Sequence, residues 1–299
     1  MLALTFGLQP VSAAAVELIR DPHVRRGLIL LSPQPGKRVP YGTLAGPEAG
    51  PAVWDLAQWS SRYPLKAAGP QRRPDGTSQF SNAGKSITFG RPGSNEITLA
   101  VTGSIEYGGK ARKKDDPWVH LLLQQEIANA PALAELKSAR FHLEARLQSS
   151  HHIVTPEDTP DLHAAQFQVF FSVQNFNRKS AGYGQSFWFG VPVYDNRYRI
   201  PPAHQSQDTA GTQMFIFTPA GTVYGTRSAH DLQWITFDQD LLPLMREGLA
   251  LAWQRGFLHD SQALADYHVS GLNLGWEVPG VFDVALQFRN LSLRATLSP

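Results

Sequence analysis

Two glutamates, Glu144 and Glu277, have the residue type and the setting for glycoside hydrolysis. Glu144 lies between His142 and Arg146 in RFHLEARLQ, and Glu277 follows Trp276 in NLGWEVPG. Hydrolysis of a glycosidic bond needs two flanking carboxyl groups, one of which is protonated and acts as the acid. Arg146 favours an ionised Glu144, which suits a nucleophile or base. An apolar setting favours a protonated Glu277, which suits the acid. We therefore predict that these two glutamates form a catalytic pair.

Amide, guanidinium and aromatic side chains accompany these glutamates at alternate strand positions. Amides and guanidinium groups hydrogen bond to sugar hydroxyls, and flat aromatic faces stack on sugar rings. Any antiparallel sandwich has a polar outer face, but this set is rich in Gln and aromatics and contains no Lys. The predicted substrate-binding residues are His142, Arg146, Gln166, Gln168, Trp188, Tyr194, Arg197 and Asn273.

Three alternatives remain open from the residues alone. A polysaccharide lyase needs a Tyr or His base and a Gln, Asn or Arg that neutralises the uronate carboxylate, and the formal net charge of +2 is compatible with an acidic glycan. The set that would supply this chemistry is His163, Gln166, Tyr194, Arg197 and Tyr198. The other two alternatives are a non-catalytic glycan-binding module and a structural or interaction sandwich whose polar face is only solvated.

The segments that carry these residues alternate with the period of a β-strand. RFHLEARLQ, QFQVFFSVQN and SFWFGVPVYD each place apolar residues at every second position, which predicts one buried and one polar face. The closing stretch predicts a hairpin around Pro279-Gly280. A single amphipathic helix is predicted near 240–256, capped by Asp238 or Asp240 and ended by Gly256. The fold class is therefore all-β, an antiparallel β-sandwich of the jelly-roll type with one amphipathic helix.

Composition divides the 299 residues into three parts. Residues 1–15, MLALTFGLQPVSAAA, resemble the end of a signal peptide without its basic region. Residues 16–84 are rich in Pro and Gly, and we expect a loop-rich segment packed on the sandwich. Residues 85–299 are expected to form the sandwich domain. On this basis we expect a secreted or periplasmic protein.

Composition also excludes several classes of function. The chain has no cysteine, which excludes disulfides, thiolate catalysis and Cys-ligated zinc. It has no basic stripe of the kind that duplex binders carry, so we expect no nucleic-acid partner. No apolar run is long enough to span a bilayer, and no GxSxG, P-loop or strand-linked GxGxxG motif is present. We expect no cofactor, with a structural calcium ion at Asp195, Asp208 and Asp283 as the alternative.

The alternating segments, together with NLGWEVPGVFDVALQF, resemble the concanavalin-A-like or jelly-roll group of carbohydrate-active proteins. That group includes β-glucanases, alginate-type lyases and glycan-binding modules. The resemblance covers Lys85 to Leu297 and is one of architecture, because neither the E-x-D-x-x-E pattern of one glucanase family nor the lyase motifs are present. It implies a groove on one sheet that binds a polysaccharide or oligosaccharide and cleaves it, with glycoside hydrolysis favoured over the alternatives.

Overall fold

The chain folds into two β-sheets packed face to face, in a computed structural model that describes residues 15–209 and 211–299. Its strands are β1 (Val16–Glu17), β2 (Leu28–Leu31), β3 (Pro40–Leu44), β4 (Trp54–Ala57), β5 (Gln71–Arg72), β6 (Ser78–Ser81), β7 (Lys85–Phe89), β8 (Ile97–Thr102), β9 (Val119–Glu126), β10 (Leu136–His152), β11 (Gln166–Asn175), β12 (Ser186–Asp195), β13 (His204–Gln207), β14 (Phe215–Thr218), β15 (Ile235–Asp240), β16 (Tyr267–Val278) and β17 (Phe282–Leu297). Its α-helices are α1 (Gly103–Glu106) and α2 (Leu242–Gln254).

Strand pairing is antiparallel throughout the described residues, except for the parallel pairs β12–β14 and β2–β4. The eight-stranded sheet has the order β15-β10-β17-β8-β7-β6-β5, with β1 beside β17. The nine-stranded sheet has the order β13-β14-β12-β11-β16-β9-β4-β2-β3. The predicted all-β class and the antiparallel jelly-roll sandwich are therefore confirmed.

Aromatic side chains join the two sheets across the core. The ring of Phe141 on β10 meets that of Phe171 on β11 edge-on, with centroids 5.7 Å apart. The indole Nε1 of Trp276 on β16 donates to the backbone oxygen of Leu99 on β8 at 2.9 Å. All four side chains are fully buried, as the alternation of apolar residues requires. The inward faces of both sheets are thereby fixed, and their outward faces are left for other roles.

The predicted amphipathic helix is confirmed as α2. It begins after Asp240, whose Oδ1 accepts from the backbone nitrogen of Leu242 at 3.1 Å, and it ends before Gly256 with φ +82°. A Cβ at Gly248 would lie 2.9 Å from the rings of Phe187 and Phe217, so only glycine permits this close packing on the core. Within the described residues, no helix has the length and apolar character to cross a membrane.

Residues 16–84 form more than a loop-rich cover. Strands β1, β5 and β6 belong to the eight-stranded sheet, and β2, β3 and β4 extend the nine-stranded sheet. These strands are two to five residues long. Strands this short, separated by Pro and Gly residues, give no recognisable alternation of apolar and polar residues. The boundary expected at residue 85 therefore separates no structural units. Of the expected leader segment 1–15, all but Ala15 lies outside the described residues.

Candidate functional site

The predicted catalytic pair is divided between the two sheets. Glu144 lies on β10 of the eight-stranded sheet and Glu277 on β16 of the nine-stranded sheet. Both side chains point away from the core, so they occupy opposite surfaces of a sandwich whose layers pack about 10 Å apart. They cannot flank one glycosidic bond, and the predicted pairing is wrong. Alternation along a strand reveals which residues face outward, but it does not reveal to which sheet the strand belongs.

Glu144 instead belongs to an ion-pair cluster on the eight-stranded sheet. Partial burial opposes its ionisation, but donation from Asn290 and Arg289, each at 2.8 Å, holds the pKa of Glu144 below its usual value. The Nε2 atom of His142 lies 3.7 Å from a Glu144 oxygen. Arg146 follows on the same strand face. The predicted sugar-binding residues His142 and Arg146 are thus on the surface opposite Glu277.

The remaining predicted residues converge on the outer surface of the nine-stranded sheet. Cross-strand pairing sets Gln166 beside Glu277, Gln168 beside Gly275 and Phe170 beside Asn273. Strand β9 adds His120 beside Glu277 and Gln124 beside Asn273. We call this surface the polar–aromatic face; it comprises Trp59, Trp118, His120, Leu122, Gln124, Gln166, Gln168, Phe170, Trp188, Asn273, Gly275 and Glu277.

Glu277 lies at one end of this face in an aromatic setting. The indole Nε1 of Trp118 is 3.4 Å from Glu277 Oε2, and Nε2 of His120 is 3.7 Å from the same oxygen. The His120 ring stacks on Trp118 with centroids 5.6 Å apart and meets Trp59 edge-on at 5.4 Å. These three neighbours are not among the predicted substrate-binding residues, because it is the pairing of β9 with β16 that brings His120 beside Glu277.

His120 acts on Glu277 as a neutral ring. Its Nδ1 lies 2.9 Å from the carbonyl oxygen of Trp118, which requires the proton on Nδ1. Burial lowers the pKa of His120, against the opposing effects of the Glu277 carboxylate, the Trp118 carbonyl and the Asp208 carboxylate. The Nε2 lone pair of His120 therefore faces Glu277. The Glu277 carboxyl group thus lies beside a hydrogen-bond acceptor rather than beside a cation. The same Glu277 oxygen thus lies near one donor, the indole Nε1 of Trp118, and one acceptor, the Nε2 of His120.

Tyr194, predicted to bind sugar on the outer surface, lies in the core. A β-bulge opposite Gln168 shifts the phase of β12, so that Tyr194 pairs with the buried Phe167. The Tyr194 hydroxyl donates to Ser150 Oγ of the opposite sheet at 2.9 Å, and the side chain is 2% exposed. The prediction is wrong, although Pro192 within the strand is the kind of residue that marks a bulge.

The same bulge brings Asp195 to the outer side. Asp195 pairs with Gln166, which pairs with Glu277 on its other side. The two acids therefore lie two strands apart in one row, with α-carbons about 10 Å apart from the strand spacing. Asp195 accepts from Arg197 Nε at 2.9 Å and Nη2 at 2.7 Å, and from Gln166 Nε2 at 2.7 Å. Arg197 is thus held by Asp195, a residue that the sequence considered only for calcium.

The middle of the polar–aromatic face carries amides between aromatic rings. Gln168 and Asn273 are half-buried, and neither amide hydrogen bonds to another group in the part of the chain that the structure describes. Phe170 and Trp188 meet edge-on at 6.1 Å, and Trp188 Nε1 donates to Thr212 Oγ1 at 3.1 Å. The predicted residues Gln166, Gln168, Trp188, Asn273 and Glu277 therefore share one surface.

The residues considered for a lyase do not assemble. The side chain of His163 is 1% exposed; its Nδ1 accepts from Thr159, and its Nε2 donates to the Arg112 carbonyl at 2.9 Å. Tyr194 is buried between the sheets. Tyr198 is exposed beyond the end of β12. Neither of the two buried candidate bases reaches the surface on which Gln166 lies.

The aspartates considered for calcium are also separate. Asp195 is held by Arg197, Asp208 accepts from Thr212, and Asp283 accepts from Ser104. In residues 15–209 and 211–299, no group of three or more His, Asp or Glu side chains could hold a metal ion. The expectation that no cofactor is required stays a prediction.

Comparisons with known proteins concern only the fold. No family model matches the chain, and no curated protein matches it. The chain is similar to an endoglucanase from Rhodothermus marinus at 10% identity, over 75% of this chain and 93% of that chain, with a TM-score of 0.41. It is similar to a family 12 xyloglucanase from Bacillus licheniformis at 8% identity, over 78% and 99%, with a TM-score of 0.42. Similarities this low carry no argument about activity, which rests on the side chains.

Proposed function

We propose that the protein binds a polysaccharide across the polar–aromatic face and hydrolyses it, with Glu277 as the general acid. The observation that carries this proposal is the setting of Glu277, whose carboxyl group faces the indole of Trp118 and the neutral ring of His120. Free amides and aromatic rings continue along the same face. Amides bind hydroxyls and rings stack on sugars, so the substrate would pass directly over the acid.

Asp195 is the partner carboxylate in this proposal. The α-carbons of the proposed acid and Asp195 lie about 10 Å apart from the strand spacing; inverting hydrolases hold their two carboxyl groups roughly 6.5–9.5 Å apart and retaining ones roughly 5 Å apart. Arg197 supplies the counter-charge for the ionised Asp195. In this geometry Asp195 would activate a water molecule, and inversion at the anomeric carbon would follow.

A second candidate function is glycan binding without cleavage. Both carboxylate oxygens of Asp195 already accept hydrogen bonds, from Gln166 and from the Arg197 side chain. A base with both oxygens occupied activates water poorly, and Glu277 alone would then serve recognition. Both functions require contact with a polymer outside the cell. The proposal therefore includes a secreted or periplasmic location.

The substitution Glu277→Gln separates the two functions. We expect it to lower the rate of glycan hydrolysis by about 10²–10⁴-fold, the usual contribution of a general acid, and to leave glycan affinity within about threefold. Reducing ends are measured over a panel that begins with β-glucans and xyloglucan, with binding followed by calorimetry.

The matched control is Glu144→Gln on the opposite sheet, which should leave the rate unchanged. Undiminished hydrolysis by Glu277→Gln would exclude Glu277 as the acid. Binding by the wild-type protein without any release of reducing ends would favour the second function.

A further inference from the structure

The outer surface of the eight-stranded sheet holds a second polar depression, with a volume of about 400 Å³. It is crossed by a row of polar side chains, one from each of five adjacent strands, β6, β7, β8, β17 and β10. In that order the row is Gln79, Thr88, Thr98, Gln287 and Arg146. Four strand spacings give this row a length of roughly 19 Å. We call the depression the five-strand trough.

Small side chains give the trough its depth. Ser86, Ala100 and Ala285 are cross-strand partners on the same surface, next to the polar row. These small side chains form the floor, and the longer side chains of Gln148 and of the polar row stand beside it. The floor is built on paired central strands, so its shape is fixed by the sheet rather than by mobile loops. The depression therefore crosses the strands along the polar row.

Guanidinium groups stand at both ends of the trough. Arg73 and Arg91 line one end and Arg146 lines the other. In the described residues, none of the three lies within ion-pair distance of a carboxylate. Arg146 is held in place by Trp234, whose ring centroid is 5.0 Å from its guanidinium carbon, and by donation to Gln287 Oε1 at 2.6 Å. The charge of Arg146 is therefore held in a fixed position.

The acidic residues of the trough are already engaged. Asp75 accepts from the hydroxyl of Thr77 at 2.7 Å and from its backbone nitrogen at 3.0 Å. Glu96 accepts from Gln287 Nε2 at 3.1 Å and from Arg289 Nη1 at 3.4 Å. Three arginines therefore line the trough against two carboxylates, so the excess charge that faces a ligand is positive.

We propose that the five-strand trough is a second binding site and that it holds an acidic polysaccharide. Hydroxyl and amide side chains along the row match the hydroxyls of a sugar chain. Arginine forks bind carboxylate or sulfate groups through paired hydrogen bonds. Unlike the polar–aromatic face, the polar row contains no aromatic ring on which a sugar could stack. The trough therefore favours an extended charged chain over flat neutral sugar rings. This site is independent of the proposed hydrolysis, because it lies on the opposite sheet.

The test measures calorimetric affinity of the whole protein for oligouronates, sulfated galactan oligomers and neutral β-glucan oligomers. The variant is Arg73→Ser with Arg91→Ser, both of which are exposed, so the fold should persist. We expect a loss of affinity for the anionic oligomers of about tenfold or more, as for loss of charged hydrogen bonds. The matched control is Arg178→Ser with Lys179→Ser, which removes the same charge elsewhere and should bind as the wild type does.

Trp188→Ala tests independence from the polar–aromatic face, and it should leave binding of anionic oligomers unchanged. Binding of the oligouronates or of the sulfated oligomers identifies which anionic group the arginines accept. The proposal is overturned if neither anionic glycan binds. It is also overturned if the charge control loses as much affinity as the trough variant, or if Trp188→Ala abolishes the binding that the trough variant keeps.

Discussion

Replacement of Lys85 by Met is expected to lower the free energy of unfolding by about 3–5 kcal/mol, because it leaves one partner of a buried ion pair alone. The Lys85 ammonium pairs with Glu106, and both side chains are fully buried. Burial lowers the pKa of Lys85, and the charge and hydrogen bond of Glu106 oppose that shift. Ser61 donates to Glu106 Oε1 at 2.8 Å, and the Arg62 backbone nitrogen donates to Oε2 at 2.8 Å. The ion pair thus links three parts of the chain: the segment that follows β4, strand β7 and helix α1.

Urea unfolding of four proteins tests this expectation: wild type, Lys85→Met, Glu106→Leu and the double variant. The double variant should recover most of the loss, because apolar replacement of a whole buried pair is often nearly neutral. The matched control is Arg140→Met, which breaks the exposed Arg140–Asp238 pair and should leave the unfolding transition close to that of the wild type, because solvent screens exposed ion pairs. A loss below about 1 kcal/mol in Lys85→Met would contradict the structural role given to the buried pair.

We expect Arg112→Lys to weaken glycan binding by about tenfold and to destabilise the fold by about 2–3 kcal/mol, although it keeps the charge. The Arg112 guanidinium donates to five backbone carbonyls, and it lies 5.1 Å from the ring centroid of Trp118. These acceptors are Lys113, Lys114, Asp116, Leu162 and Pro279, at 2.9–3.2 Å. They belong to the loop before β9, the approach to β11 and the turn after β16.

One side chain therefore aligns the three strands that carry His120, Gln166 and Glu277. A lysine ammonium has three donors and no planar fork, so it leaves several of these carbonyls unpaired. Glycan titration and urea unfolding measure the two losses. Arg246→Lys is the control, because Arg246 also donates to carbonyls, those of Leu133 and Leu136, but far from the face. Arg246→Lys should lower the stability and leave the glycan affinity unchanged. Unchanged glycan affinity in Arg112→Lys would contradict the positioning role of Arg112.

Local periodicity accounts for the parts of the fold that were predicted correctly. The buried faces of β10 and β11 follow directly from alternation, and α2 follows from its 3.6-residue period and its glycine stop. Within β12 the alternation holds as far as Pro192. There the bulge shifts the phase by one residue, moving Tyr194 inward and Asp195 outward. A bulge depends on pairing with a neighbouring strand, which the period of one strand does not encode.

Sheet membership is the other feature that the sequence did not reveal. Glu144 and Glu277 have equivalent outward positions on well-formed strands, yet their strands lie in different layers. Nothing local distinguishes them, because the partner of a strand is set by contacts distant in sequence. The sequence did not reveal the buried Lys85 for a similar reason: its partner Glu106 lies in α1, after the intervening strand β8.

Affinity for neutral β-glucan oligomers in Trp188→Ala and Trp188→Phe, compared with the wild type, tests the central claim most directly. If a glycan lies across the polar–aromatic face, calorimetry should show binding by the wild type and a loss of about tenfold in Trp188→Ala, equivalent to about 1.4 kcal/mol of stacking. Trp188→Phe keeps an aromatic face and should retain most of the affinity. Binding to neutral β-glucans that is equal in all three proteins, or no binding by the wild type to any glycan, would contradict the claim.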